Sequence, residues 1–171
     1  MSTHLERIGE KARKEPELVC TSLYHHVSDV DHLRACDDAL PKDRAVGVDG
    51  VTKEAYGRNL EANLQDLSGR LKRMAYHPQP KRRSDLPKPG SEKGRPLGIS
   101  CFEETRVELA VKRVLEPIYE TVFEDSSHGY RPERNQHTCL DALGRTIQQK
   151  RISHVVEADI TSFFDTVNQE W

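Results

Sequence analysis

Two groups of residues in this 171-residue chain have types and spacings that could do chemistry, and the first group is acidic. Glu157 and Asp159 alternate within the segment VVEADI, and Asp165 follows six residues after Asp159. In a strand, side chains two residues apart share one face. A carboxylate at the end of a strand could hold Mg²⁺, which prefers carboxylate, water and phosphate oxygens. An ordinary strand-end or helix-capping aspartate would explain the same pattern, so the residues alone leave both interpretations open.

The second group is basic and lies between Arg70 and Arg95, where nine lysines and arginines accompany only two acidic residues. The local net charge of +7 contrasts with −2 for the whole chain, so the remaining residues carry −9. Arginine can grip two phosphate oxygens as a fork, and lysine supplies a point charge. A solvated surface is the simpler explanation, but clustering on a proline-rich segment favours a surface that contacts phosphates.

Several other kinds of site find no support in the sequence. The four cysteines lack CxxC spacing and are expected to be free thiols. No HExxH, GxSxG, Walker or dinucleotide-binding motif occurs. No run approaches the roughly 18 apolar residues of a membrane span, and the charged start lacks the apolar core of a secretory signal. We therefore expect a cytoplasmic protein without membrane contact.

The spacing of apolar residues predicts the helices that surround these groups. Asp31 and Thr52 are expected to cap the second and third of them, because their side chains can accept hydrogen bonds from the first helical turn. The predicted helices are residues 17–28, 31–40, 52–77, 103–120 and 136–149.

The predicted strands carry the two groups of candidate site residues. Segment 78–100 is rich in proline and glycine and predicts a β-hairpin with strands at 82–87 and 95–99. Residues 153–160 predict a further strand, followed by a turn at TSFFDTV that leads into a helical element. The expected fold class is α+β.

Four motifs, taken in order along the chain, resemble those of group II intron-encoded reverse transcriptases, which are also called maturases. The first is SLYHHVSDVDHLRACDDAL followed by AVGVDGVT, which is similar to the amino-terminal extension of these enzymes. The others are LKRMAYHPQPKRRSDLPKPGSEKGRPLGIS, RVELAVKRVLEPIYETVFEDSSHGYRPERNQHTCLDAL and VVEADITSFFDTV, which resemble the first three polymerase motifs.

The resemblance implies an architecture as well as a family. Residues 1–45 would form the helical amino-terminal extension. Residues 46–150 would form a region like the fingers of a polymerase, with the basic hairpin at 78–100. Residues 151–171 would begin the palm with its first strand, so that the palm is truncated.

The resemblance also implies roles for matched positions in two-metal nucleotidyl transfer with Mg²⁺. Asp159 would be the first catalytic, metal-binding aspartate, and Ile160 would offer its backbone carbonyl to a metal. Phe164 falls where the family places the steric gate that selects deoxynucleotides. The incoming triphosphate would contact Lys88 and Arg95. Template or other RNA would contact Lys81, Arg82, Arg83, Tyr130 and Arg131.

The family's second acidic motif, of the YADD type, is absent from the 171 residues. Two Mg²⁺ ions need carboxylates from two palm strands, so we expect this chain to lack polymerase activity by itself. The implied partners are an RNA template and primer, intron RNA, dNTPs and a second polypeptide carrying the rest of the palm. The alternatives are a non-catalytic module that holds intron RNA and a degenerate remnant.

Overall fold

The computed structural model describes residues 2–87, 90 and 94–168. The chain forms two compact units, Met1–Phe123 and Glu124–Trp171. Helices and one antiparallel hairpin make up the described part, so the predicted α+β class is confirmed at that level. No helix in these ranges is long and apolar enough to cross a membrane.

The first unit contains six helices and two strands among its described residues. Its hairpin lies between the fifth and sixth helices and is the only sheet formed there. In chain order the elements are α1 (Ser2–Lys14), α2 (Tyr24–Val27), α3 (Val30–Ala39), α4 (Lys53–Gly57), α5 (Leu60–Lys72), β1 (Arg82–Leu86), β2 (Arg95–Ile99) and α6 (Phe102–Tyr119).

The hydrophobic core of this unit is built by α2, α3, α5 and α6. Leu33, Leu64 and Ala110 are completely buried there, and a smaller cluster joins Leu40 to Phe102. Helix α1 packs on α6, and its Gly9 is needed at that contact. A Cβ at Gly9 would lie only 2.9 Å from Cβ of Pro117.

Two of the five predicted helices and one predicted cap differ from the structure for identifiable physical reasons, and one observed helix was not predicted. The predicted helix 17–28 is helical only in α2, because it contains β-branched Val19 and Thr21, which favour helix weakly. Asp29, not Asp31, caps α3 by accepting a hydrogen bond from the His32 amide at 2.8 Å. Helix α1 was not predicted, because its sequence is dominated by charged residues.

The predicted helix 52–77 is two helices, α4 and α5. Thr52 does cap α4, as predicted, and accepts a hydrogen bond from the Ala55 amide at 3.1 Å. The helix is interrupted after Gly57. The Asn63 side chain donates a hydrogen bond at 2.9 Å to the Tyr56 carbonyl, which would otherwise lack a helical partner. Helix α5 then ends at Lys72, five residues before His77, because the chain turns into a left-handed conformation at Met74.

The second unit contains α7 (Gln136–Gln149) and the short α8 (Phe163–Thr166). Asn135 caps α7 through a capping box with Thr138, and the helix agrees with the prediction for 136–149. The strand predicted at 153–160 is not formed, and these residues are irregular and exposed. A strand is stabilised by a hydrogen-bonded neighbour, and no described segment pairs with this one. The palm assignment therefore stays a prediction.

Candidate nucleic-acid interface

The basic hairpin has a register that places its arginines on both faces. Strands β1 and β2 pair antiparallel, with Arg82 opposite Ile99 and Leu86 opposite Arg95. Residues that alternate along a strand share a face, so Arg82 and Arg95 lie on one face and Arg83 on the other. All three arginines are exposed. A polyanion can therefore reach positive charge from either side of the hairpin.

The cations differ in how firmly neighbouring groups hold them. The Arg82 Nε donates a hydrogen bond to the Val46 carbonyl at 2.9 Å. Arg83 is only loosely paired with Asp85, at 3.3 Å, and both side chains are exposed. The Arg95 side chain makes no hydrogen bond to another described residue. Lys88, which the sequence assigned to the same surface, lies outside the described residues.

Glu108 of α6 holds the base of the hairpin and was not among the predicted site residues. Its Oε1 accepts hydrogen bonds from Lys81 Nζ at 2.9 Å and from Ser100 Oγ at 3.0 Å. These two residues stand just before β1 and just after β2, so one carboxylate joins both ends of the hairpin to α6. The same hydrogen bond raises the pKa of Lys81. The signal in the sequence that could have indicated this role is an acidic residue in the second turn of the helix that follows a basic hairpin.

Close backbone packing fixes the connection between the hairpin and the preceding loop. Gly47 is buried against Cys101, and a Cβ there would lie 2.6 Å from the Cys101 Cα. A side chain at this position would have to displace backbone atoms. Together with the Arg82 contact to Val46, this packing ties the segment AVGVDG to β1 and to the residue at the start of α6.

In the second unit, the predicted RNA-contacting pair Tyr130 and Arg131 divides into one exposed and one buried side chain. Tyr130 has a φ of 57° and is fully exposed. Arg131 is buried and donates hydrogen bonds to the carbonyls of Glu124 at 2.8 Å and Ser127 at 3.0 Å. Its guanidinium therefore stabilises the loop in which both residues lie, while the Tyr130 ring is free for stacking.

The predicted metal ligands are exposed in this structure. Glu157, Asp159 and Ile160 lie in the irregular segment before α8. In the described ranges, no three His, Cys, Asp or Glu side chains come close enough together to hold a metal ion. The residues as arranged do not form the Mg²⁺ site that the resemblance implies. The backbone of Phe164 lies in α8, and its side chain lies outside the described part.

Comparison with known proteins gives the relatives of this chain, although no protein-family model matches it. The group II intron-encoded protein LtrA of Lactococcus lactis subsp. cremoris is 35% identical over 164 residues, 96% of this chain. Protein YkfC of Escherichia coli K12 is 38% identical over 125 residues, 71% of this chain. The putative COX1/OXI3 intron 2 protein of Saccharomyces cerevisiae is 26% identical over 172 residues, 96% of this chain.

The match covers only part of each relative. The chain spans 27% of LtrA, in its amino-terminal part. It spans 32% of YkfC and 19% of the yeast protein.

Proposed function

We propose that this chain, which is homologous to the amino-terminal part of group II intron-encoded reverse transcriptases and maturases, binds RNA through its basic hairpin. The observation that carries the proposal is the exposed cationic surface of β1 and β2, held to α6 by Glu108. Exposed arginines can approach phosphates without first breaking buried contacts, because Arg83 is only loosely paired and Arg95 has no described partner. Intron RNA is the substrate that the homology favours.

The salt dependence of RNA binding tests this proposal. Arg83→Gln combined with Arg95→Gln removes two cations, and each lost phosphate contact should lower the slope of log affinity against log salt by about 0.7 for single-stranded RNA. We therefore expect the slope to fall by about 1.4. The measurement is fluorescence anisotropy with a labelled intron RNA over a series of salt concentrations.

A matched control separates the hairpin from net charge. Arg13→Gln combined with Lys14→Gln removes two exposed cations from the last turn of α1, away from the hairpin. We expect this pair to leave the salt slope unchanged. Equal losses of slope in both pairs would assign binding to overall charge and would reject the hairpin as the contact surface.

We also propose that reverse transcription belongs to a longer protein to which these residues contribute. In that protein, Asp159 and Ile160 would supply part of a Mg²⁺ site. Contacts to the incoming dNTP would come from Lys88, Arg95 and Phe164, and contacts to the template from Tyr130, which lies in the loop that Arg131 stabilises. A second polypeptide carrying further palm residues is one way to complete the Mg²⁺ site. The homology supports these roles, and the exposed position of Asp159 is compatible with ligands arriving from elsewhere.

A primer-extension assay tests the catalytic part of this proposal. The 171-residue chain, with an RNA template, a DNA primer, dNTPs and Mg²⁺, should give no extension, because its described carboxylates do not gather around one point. Template-dependent extension that disappears in Asp159→Asn would show that the chain is active alone and would overturn this expectation.

A further inference from the structure

A polar pocket of about 410 Å³ lies beside the first turn of α6. Acidic side chains outnumber basic ones in its lining, whereas basic side chains outnumber acidic ones in the hairpin. Three carboxylates and one guanidinium are part of its wall. We call it the acidic pocket, and its lining is Asp49, Val51, Tyr56, Arg70, Tyr76, His77, Gln79, Cys101, Glu103 and Glu104.

The single guanidinium of the pocket already forms ion pairs with two carboxylates of the protein. Arg70 Nη2 donates to both oxygens of Glu103 at 2.9 Å, and its Nε donates to Asp66 at 2.7 Å. The Tyr56 hydroxyl donates a third hydrogen bond to Glu103 at 3.1 Å. Glu103 therefore has its donors within the protein, and the Nε and Nη2 atoms of Arg70 are directed at Asp66 and Glu103, not at Glu104.

Glu104 is the residue that this arrangement leaves without a partner. It is only 7% exposed, and its Oε2 has no hydrogen bond to any described group. Lys81, whose charge acts on the same region, is hydrogen-bonded to Glu108 instead. Leaving a buried acceptor unsatisfied costs about 1–3 kcal/mol. The first turn of a helix favours a negative side chain, so the Glu104 carboxylate suits its position in α6. This favourable position does not supply a hydrogen-bond donor to Oε2.

The remaining walls suit a flat cation. The half-buried Tyr76 ring lies beside Arg70, with 5.9 Å between the guanidinium carbon and the ring centroid. Burial and the nearby charges of Glu104 and Glu103 raise the pKa of Tyr76 to about 12, so its ring stays neutral. Asp49 adds an exposed carboxylate at the rim, and its Oδ1 accepts from the Val51 amide at 3.1 Å. A guanidinium has five donors in a plane and stacks on aromatic rings.

We propose that the acidic pocket binds the guanidinium group of an arginine side chain from a polypeptide, with the Glu104 carboxylate as its inner acceptor and Asp49 as its acceptor at the rim. The three carboxylates disfavour phosphate groups, so this site is separate from RNA binding by the hairpin. The experiment below contains no RNA, and its result is independent of the function proposed above.

Nuclear magnetic resonance titration of the 171-residue chain tests the proposal with a defined probe. Nα-acetyl-arginine amide should shift backbone amide resonances of residues that line the acidic pocket. The citrulline counterpart has nearly the same shape but no charge and should shift them at least about tenfold more weakly. Spermidine, an ammonium cation without a planar group, should also bind more weakly. Equal binding of either compound, or no binding of the arginine derivative, overturns the proposal.

Variants then identify the acceptors. Glu104→Gln keeps the shape of the side chain and should weaken binding of the arginine derivative at least about tenfold. Asp49→Asn changes an exposed residue, which keeps the test valid if Glu104→Gln fails to fold, and it should also weaken binding. The control Glu116→Gln removes the same charge from α6 outside the pocket and should bind normally. Unchanged binding in both pocket variants, or equal weakening in the control, rejects the site.

Discussion

Met74 is a single residue whose backbone conformation sets the end of α5. Its φ is 55°, and the amides of Met74 and Ala75 donate hydrogen bonds to the carbonyls of Leu71 and Arg70 at 2.9 Å. This is the arrangement of a Schellman motif, in which the residue in the left-handed conformation is usually glycine. The Met74 side chain is 74% exposed, so it contributes little packing that could offset the backbone cost.

Met74→Gly should therefore stabilise the protein by about 1 kcal/mol, because glycine adopts this conformation without the steric cost of a Cβ. Chemical denaturation monitored by circular dichroism measures the change in the free energy of unfolding. Ala75→Gly is the control, because Ala75 does not have a positive φ, and it should be neutral or destabilising. A loss of stability in Met74→Gly would show that the side chain matters more than the backbone.

For individual residues, the sequence predicted the types of the candidate site side chains better than their exposure to solvent. Arg83 and Arg131 are both arginines in motifs that resemble nucleic-acid contacts, yet one is exposed and the other is buried among carbonyls. The spacing of residues cannot distinguish the two, because Arg131 is buried by the irregular fold of the loop that supplies the Glu124 and Ser127 carbonyls. Glu108 was missed because its role depends on contacts outside its own helix, with Lys81, which is 27 residues away, and with Ser100.

The packing of α3 on α6 depends on one buried ion pair. Arg106 is completely buried and donates from Nη2 to Asp37, and the rings of Tyr56 and Phe102 lie 4.0 and 5.0 Å from its guanidinium carbon. Its Nε and Nη1 have no partner among the described residues. A buried guanidinium without its carboxylate is strongly destabilising, by about 3–5 kcal/mol.

Asp37→Asn should therefore lower the free energy of unfolding by about 3–5 kcal/mol, measured by chemical denaturation. Asp38→Asn removes a charge from the exposed neighbour in the same helix and should change stability little. Replacing both partners, as Asp37→Leu with Arg106→Met, should cost less than Asp37→Asn alone, since no unpaired charge stays buried. Equal effects of Asp37→Asn and Asp38→Asn would show that the pair does not join these helices.

Elements with local causes were predictable, and elements that need distant partners were not. Helices α6 and α7 agree with the predicted 103–120 and 136–149, because the apolar spacing and the Asn135 capping box act within a few residues. The hairpin was predictable because both of its strands lie within one short segment. The strand at 153–160 failed because Val155 and Val156 favour a strand only when another strand is alongside.

For the whole molecule, the segregation of charge matters more than the net value of −2. The positive segment between Arg70 and Arg95 contains the hairpin, whereas the three carboxylates of the acidic pocket lie outside this segment. RNA binding should thus concern the hairpin of the first unit. The exposed segment at residues 151–160 of the second unit carries Asp159 and has a net charge of −1, from two acidic residues and one arginine.

Hydrogen exchange with and without RNA tests this division. Addition of intron RNA should slow amide exchange in β1 and β2, because phosphate contacts restrain a two-stranded hairpin that is otherwise only marginally stable. Residues 151–160 make no regular backbone hydrogen bonds and should exchange fast with or without RNA. High salt should remove the protection of the hairpin, since it weakens the phosphate contacts. Protection of 151–160 in place of β1 and β2 would assign RNA binding to the second unit and contradict the role of the hairpin.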